Sequence, residues 1–269
     1  MPSAKPPAGP AAVPPALAGW PPPGSPPPGS LLPAAAQAAA LLPRGFFARA
    51  AQEVAQDLLG CVLRHDPGDG AVAVMVTEAE AYAGSADAAS HAFRGRTERN
   101  AVMFGEPGHA YVYFTYGMHF CVNLVCLPEG TASAVLLRAG RVIEGTALAA
   151  RRRASTRNRP AAGRSSAGIG SAAGVGSAAG QRDLARGPAR LCQALGIDRS
   201  LDGADVCDPG SPLRIGGRSG PVPAVRSGPR VGVSRAAAIP WRFWIAGEPT
   251  VSPYRAYAAR RRTAGSAPG

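Results

Sequence analysis

The hydrophobic pattern of the chain changes period several times, and each change marks an element. Ala51, Val54, Ala55, Leu58 and Leu59 recur at intervals suited to one helix face, which predicts an amphipathic helix over residues 47–59, stopped by Gly60. Alternation then takes over. A strand is predicted at 61–64, a turn at D-P-G-D-G and a returning strand at 71–78, so that E-A-E-A-Y sits where the chain leaves the sheet. Residues 83–108 read as loop, with Gly84, Gly95, Gly105 and Pro107-Gly108 as breaks. Segments 109–115 and 120–126 are strongly strand-like and are joined across Tyr116-Gly117-Met118-His119. A P-E-G turn at 128–130 leads into a further strand at 132–139. Structured sequence resumes at Asp183-Leu184; Pro188 opens a helix to about Leu195, and Gly196 ends it. Short strands are predicted at 213–215, 230–233 and 241–246. Together these elements predict a largely antiparallel sheet with a site on its loops.

Three stretches carry no such period. Residues 1–43 are rich in Pro, Ala and Gly and almost uncharged, so they are expected to be disordered, with a helical turn or two at 34–42. Residues 151–182 run from R-R-R into repeated G-S-A-A-G and are expected to form a flexible insertion. Residues 258–269 form a basic tail, also expected to be disordered, which leaves 44–257 as one domain.

Charge adds a partner class. The net charge is +12, which suits a polyanion, but it is unevenly spread. Residues 44–150 hold eight arginines against eleven acids, whereas 151–269 hold twenty arginines against six acids. Lys5 is the only lysine, so the expected domain has no amine for a Schiff base, and G-x-x-x-x-G-K-[ST] is absent. The five cysteines include no C-x-x-C pair and read as small apolar residues in a reducing compartment. No targeting segment is convincing and no apolar run is long enough to cross a bilayer, so a cytoplasmic protein, associated with the nucleoid, is expected.

The chemistry concentrates in residues 76–138. Glu78, Glu80 and Tyr82 share one strand parity; either carboxylate could be a general base, or simply a solvated strand end, and Tyr82 could stack a planar ligand or pack in the core. His91 follows Asp87 in a loop. Glu78, Glu80, Asp87, His91 and His109 are candidate metal ligands, but neither H-E-x-x-H nor H-x-E with P-C-x-x-C occurs, and no metal is expected. In Y-V-Y-F-T-Y-G-M, Tyr111, Tyr113 and Thr115 share one face, and Tyr116 stands at a strand tip, where a wedge into stacked bases would be placed. Arg94, Arg96 and Arg99 are candidates for DNA phosphates. These features together fit removal of a base from DNA: the nucleotide is flipped out, rings hold the base, and a carboxylate activates water. Without a suitable lysine the nucleophile is water, and an abasic site is left without strand cleavage. The rivals are a damaged-DNA-binding module without catalysis and a metal hydrolase or deaminase.

E-A-Y-A-G, D-x-A-S-H, R-G-R-T-x-R-N-x-x-M-F, Y-V-Y-F-T-Y-G-M, C-V-N and L-L-R-A occur in order, followed by D-L-A-R-G-P-A-R-L-C-Q-A-L-G-I and R-V-G-V. In these motifs the chain resembles the 3-methyladenine (alkyladenine, methylpurine) DNA glycosylase family, over about 42–143 and 183–254. The resemblance implies a single compact α+β domain with a curved, mainly antiparallel sheet flanked by helices, acting without cofactor or metal on double-stranded DNA that contains alkylated purines; a monomer is expected. It implies Glu80 as general base, Arg138 holding the water and carboxylate, and Tyr82, His91 and Tyr113 enclosing the purine. It further implies Asn123 disfavouring the 2-amino group of guanine and Tyr116 as the wedge. The chain departs from the family at Ala79, where Thr is frequent, in the 151–182 insertion and in its long N-terminal tail.

Overall fold

A computed structural model describes residues 40–115, 117–157, 177–218, 220–222 and 224–257. The expectations for residues 1–39, Tyr116, 158–176 and 258–269 fall outside this set. Residues 40–42 are extended rather than helical: Leu41 bridges to Gly216, and the Leu42 amide donates to the Ile215 carbonyl at 3.0 Å.

Helices α1 (Arg44–Phe47) and α2 (Ala51–Asp57) replace the single helix predicted over 47–59. The break has a tertiary cause. The Phe47 carbonyl, which a continuous helix would bond, accepts the Leu127 amide at 3.0 Å, and the Arg49 side chain takes the Phe46 carbonyl at 2.9 Å. Strands β1 (Val62–His65), β2 (Val72–Tyr82), β3 (Ala110–Thr115), β4 (His119–Val125) and β5 (Ala134–Glu144) follow. Helices α3 (Thr146–Arg157), α4 (Ala178–Arg182) and α5 (Pro188–Leu195) come next, then β6 (Leu213–Gly216), β7 (Val225–Gly228) and β8 (Arg242–Ile245). The stretch predicted as wholly flexible is thus helical at both ends. Arg152 of α3 donates to the Leu195 carbonyl at the end of α5 at 2.7 Å, a favourable place for a cation. The α5 prediction is matched, with Pro188 in the first turn and Gly196 at φ 74°, a left-handed stop suited to glycine.

All pairings are antiparallel, in the order β3-β4-β5-β2-β1-β6, with β8 joined to both β2 and β7. β2 is shared along one edge: its first part pairs with β1, whereas Glu78–Glu80 pairs with β8. That division curls the sheet around the site, giving the α+β class and the curved antiparallel sheet expected. The main core packs Phe47, Val54, Leu58, Leu63, Leu191, Leu195 and Ile215 with the inner face of the sheet.

Of the three register shifts in the β2–β5 ladder, the two around Glu78 set the chemistry. Val76 opposes Gly140, Glu78 opposes Ala139 and Ala79 opposes Leu137, so Thr77 on β2 and Arg138 on β5 are each left unpaired. Before the bulge at Thr77 the core-facing residues of β2 are Val72, Val74 and Val76; after it they are Ala79 and Ala81. A side-chain period of two would have sent Glu78, Glu80 and Tyr82 into the apolar core. The bulge turns all three to the opposite face.

Candidate active site

On that opposite face lies a cavity of about 490 Å³. Tyr82 and Arg138 line it from β2 and β5; Tyr111, Tyr113 and Thr115 line it from β3; His119, Cys121 and Asn123 line it from β4. The hairpin contributes in register, with Tyr111 opposite Asn123, Tyr113 opposite Cys121 and Thr115 opposite His119. His91 enters from the loop, Pro188 and Ala189 from the start of α5, and 231–235 form another part of the wall.

Glu80 has no exposed surface and is not itself part of the wall. Three groups that are part of the wall hold it. One carboxylate oxygen accepts the Val231 amide at 2.7 Å; the other accepts the Tyr82 hydroxyl at 2.9 Å and lies 3.3 Å from Arg138 Nη1. A carboxylate offers about four lone-pair positions, so three donors leave one of them unfilled. Burial and the Glu80 charge raise the Tyr82 phenol well above its ordinary value, so it remains a donor.

Glu78 is different. It accepts Arg138 Nε at 2.8 Å, Arg242 Nε at 2.7 Å, the Ser252 amide at 2.7 Å and the Ser252 hydroxyl at 2.9 Å. Burial alone would raise its pKa, but Arg138, Arg242 and Ser252 together hold it below the usual carboxylate range. Of the two carboxylates predicted to share a face, one is thereby fully committed as a counter-ion. Neither is a solvated strand end, because both side chains are fully buried. Burial pushes the Arg138 guanidinium down, but Glu80 and Glu78 more than compensate and raise it.

The rings form a second group. The His91 and Tyr113 rings meet edge to face with centroids 4.5 Å apart, and Tyr111 and Tyr113 stack at 5.4 Å. His91 Nδ1 lies 3.1 Å from the Tyr111 hydroxyl. Desolvation, then the charge of Arg99, lowers the His91 pKa, which favours a neutral imidazole. Burial raises the Tyr113 phenol well above its ordinary value. Asn123 is buried and donates to the Tyr111 carbonyl at 3.1 Å, which fixes its amide against the hairpin.

Arg94 and Arg96 are exposed on the loop that also carries His91, and Arg99 is exposed at the start of a short 3-10 helix, Glu98–Phe104, within the stretch expected to be all loop. Arg99 donates to the Phe114 carbonyl at 3.3 Å and so reaches the hairpin. Asn100 bonds the carbonyls of His91 and Gly95 at 3.0 and 3.1 Å and receives the Thr97 amide, an anchor for the whole loop. Gly84 is required by close approach: a Cβ there would fall 1.9 Å from the Ala132 carbonyl oxygen. Tyr116 lies outside the described residues. The candidate metal ligands do not converge: Asp87 pairs with Arg230, His109 lies 3.4 Å from Arg44, and among the described residues no three His, Cys, Asp or Glu side chains form a metal-binding group.

A sequence model of methylpurine-DNA glycosylase matches residues 45–249. The chain belongs to the methylpurine-DNA glycosylase family. It is 54% identical over 224 residues to a protein of Streptomyces avermitilis provisionally named a 3-methyladenine DNA glycosylase, covering 82% of this chain and 95% of that one. Relatives carrying the same provisional name occur in Leifsonia xyli, at 51% identity over 80% of this chain and 93% of the relative, and in Mycobacterium tuberculosis, at 46% over 68% and 81%. Residues that period and spacing do not single out also pack against the two carboxylates or line the cavity. Val231, from R-V-G-V, reaches Glu80 through its backbone; Arg242 and Ser252 hold Glu78; Arg235 is exposed at the cavity mouth. The R-V-G-V motif is the one sequence signal for Val231. The strand predicted at 230–233 is absent, because the Val231 amide bonds a side chain rather than a neighbouring strand, and β7 forms earlier, at Val225–Gly228.

Proposed function

We propose that the protein is a monofunctional glycosylase that flips alkylated purines out of duplex DNA and hydrolyses the N-glycosidic bond. Its substrates are 3-methyladenine and 7-methylguanine, and the reading extends to hypoxanthine and ethenoadenine. Glu80 is the general base: water takes the remaining place on its carboxylate, beside Arg138, loses a proton to it and attacks C1′. Cationic alkylpurines are good leaving groups, so one base suffices for them. Tyr82, His91 and Tyr113 enclose the purine, Asn123 disfavours a 2-amino group, and Tyr116 fills the gap left in the duplex. Arg94, Arg96 and Arg99 hold phosphates, and the enzyme acts as a monomer.

The observation that carries this reading is the Glu80–Tyr82–Arg138 cluster beside an aromatic cavity, with Glu80 held by donors from the cavity wall. The test is incubation with methylated duplex DNA and identification of the products. Free 3-methyladenine and 7-methylguanine with unbroken, abasic strands are expected. Tight binding without release would return the binding-module reading, and cleaved strands would refute the monofunctional one.

A further inference from the structure

One fully buried arginine packs against Tyr82 and the turn before His91 without lining the cavity. The Arg230 side chain is 0% exposed and makes a two-pronged ion pair with Asp87, which is equally buried. The same guanidinium donates to the Ala81 carbonyl at 3.0 Å and to the Ala236 carbonyl at 3.5 Å. It lies over the Tyr82 ring at 4.7 Å and the Trp241 ring at 5.3 Å. Asp87, in turn, bonds the Ala83 and Ala89 amides on either side of the turn that leads to His91. The next residue along the chain, Val231, gives Glu80 its backbone hydrogen bond.

We propose that Arg230 is a positioning residue for excision: paired with Asp87, it locks the Tyr82 ring, the turn before His91 and the Val231 amide into one unit that aims Glu80. This rests on the reading of Glu80 as the base. Stability gives little reason for such a pair, since a buried ion pair is often no better than apolar residues of the same volume. Geometry gives a reason. A guanidinium has a flat face for the two rings and a rigid fan of donors for a carboxylate and two carbonyls; an ammonium has neither. The charges of Arg230 and Glu80 also sense each other, so loss of Arg230 alters the field at the base as well as its aim.

The test uses the full chain. Arg230→Met is combined with Asp87→Asn so that no buried charge is left unpaired. Three quantities are read: thermal melting, affinity for undamaged duplex, and the single-turnover rate of 7-methylguanine release at saturating enzyme. A release rate about 100-fold below wild type, the scale set by ångström-level misplacement of a catalytic group, is expected with melting and undamaged-duplex affinity unchanged. Release at the wild-type rate, or a fall no larger than the loss of folded protein, overturns the proposal. Should the double variant not fold, Arg230→Lys carries the same test, because it keeps the charge against Asp87 but not the fork or the flat face. Reduced release from fully folded Arg230→Lys supports the proposal, and wild-type release overturns it. Glu80→Gln is run alongside: if that variant still releases base, the reading of Glu80 fails whatever Arg230 does.

Discussion

The β2–β5 ladder and the β3–β4 hairpin are parts of one sheet and line one cavity, but they hold their functional groups in different ways. On β2, Glu78 and Glu80 have no exposure, and their carboxylates are held by hydrogen bonds and ion pairs to neighbours that are themselves packed. On the hairpin the rings meet one another, and the tip is open: Phe114 is 40% exposed and Met118 62%. The ladder fixes charge; the hairpin offers surface. A general base that must aim a water at one carbon atom needs the first kind of holding, since small displacements are costly there. A large, deformable duplex is better met by the second.

This contrast can be broken from the ladder side with the largest effect. Glu78→Ala leaves Arg138 and Arg242 buried without their shared carboxylate and is expected to cost about 3–5 kcal/mol of folding stability, measured by urea unfolding. The sign with pH follows from the depressed Glu78 pKa. Its contribution is complete above the ordinary carboxylate range and is lost as pH falls through the lower folded value, so melting of the wild type drops in acid. Glu78→Gln is expected to be less stable at neutral pH and to show a flatter acid limb.

On the hairpin, Tyr113→Ala removes one ring of the His91–Tyr113–Tyr111 group. The expected loss is about 1–3 kcal/mol of lesion binding, seen as weaker affinity for duplex carrying an alkylated purine, with undamaged duplex bound as before. Tyr116→Ser is expected to weaken duplex binding or base flipping; wild-type behaviour would place the wedge elsewhere. The smallest effect belongs to the rim. Replacing Arg94 and Arg96 with Gln is expected to reduce the salt dependence of duplex binding by about one unit of log–log slope for each phosphate no longer neutralised, with the release step unaffected.

The same division decides how much the sequence revealed. The hairpin was legible: alternation placed Tyr111, Tyr113 and Thr115 on one face, and they line the cavity together. The carboxylates were legible as a pair on one face, but their burial was not. The clue was present in β2, where apolar alternation through Val72, Val74 and Val76 runs in phase with Glu78 and Glu80. An unbroken strand cannot place both sets in the core, so the phase had to slip, and it slips at Thr77. Apart from Tyr82, the partners of the carboxylates lie more than fifty residues away and depend on the curled sheet, so neither period nor local propensity could indicate Arg242, Ser252 or the Val231 amide. The break after Phe47 is of the same kind, since a carbonyl taken by Leu127 leaves no mark on the helical pattern.

The central claim is that Glu80 drives water onto the sugar carbon. Single-turnover release of methylpurines by Glu80→Gln, with binding to the same methylated duplex followed in parallel, tests it most directly. The account predicts that release is abolished while binding persists, because glutamine keeps the shape but cannot take the proton. Release at the wild-type rate from the variant would contradict it.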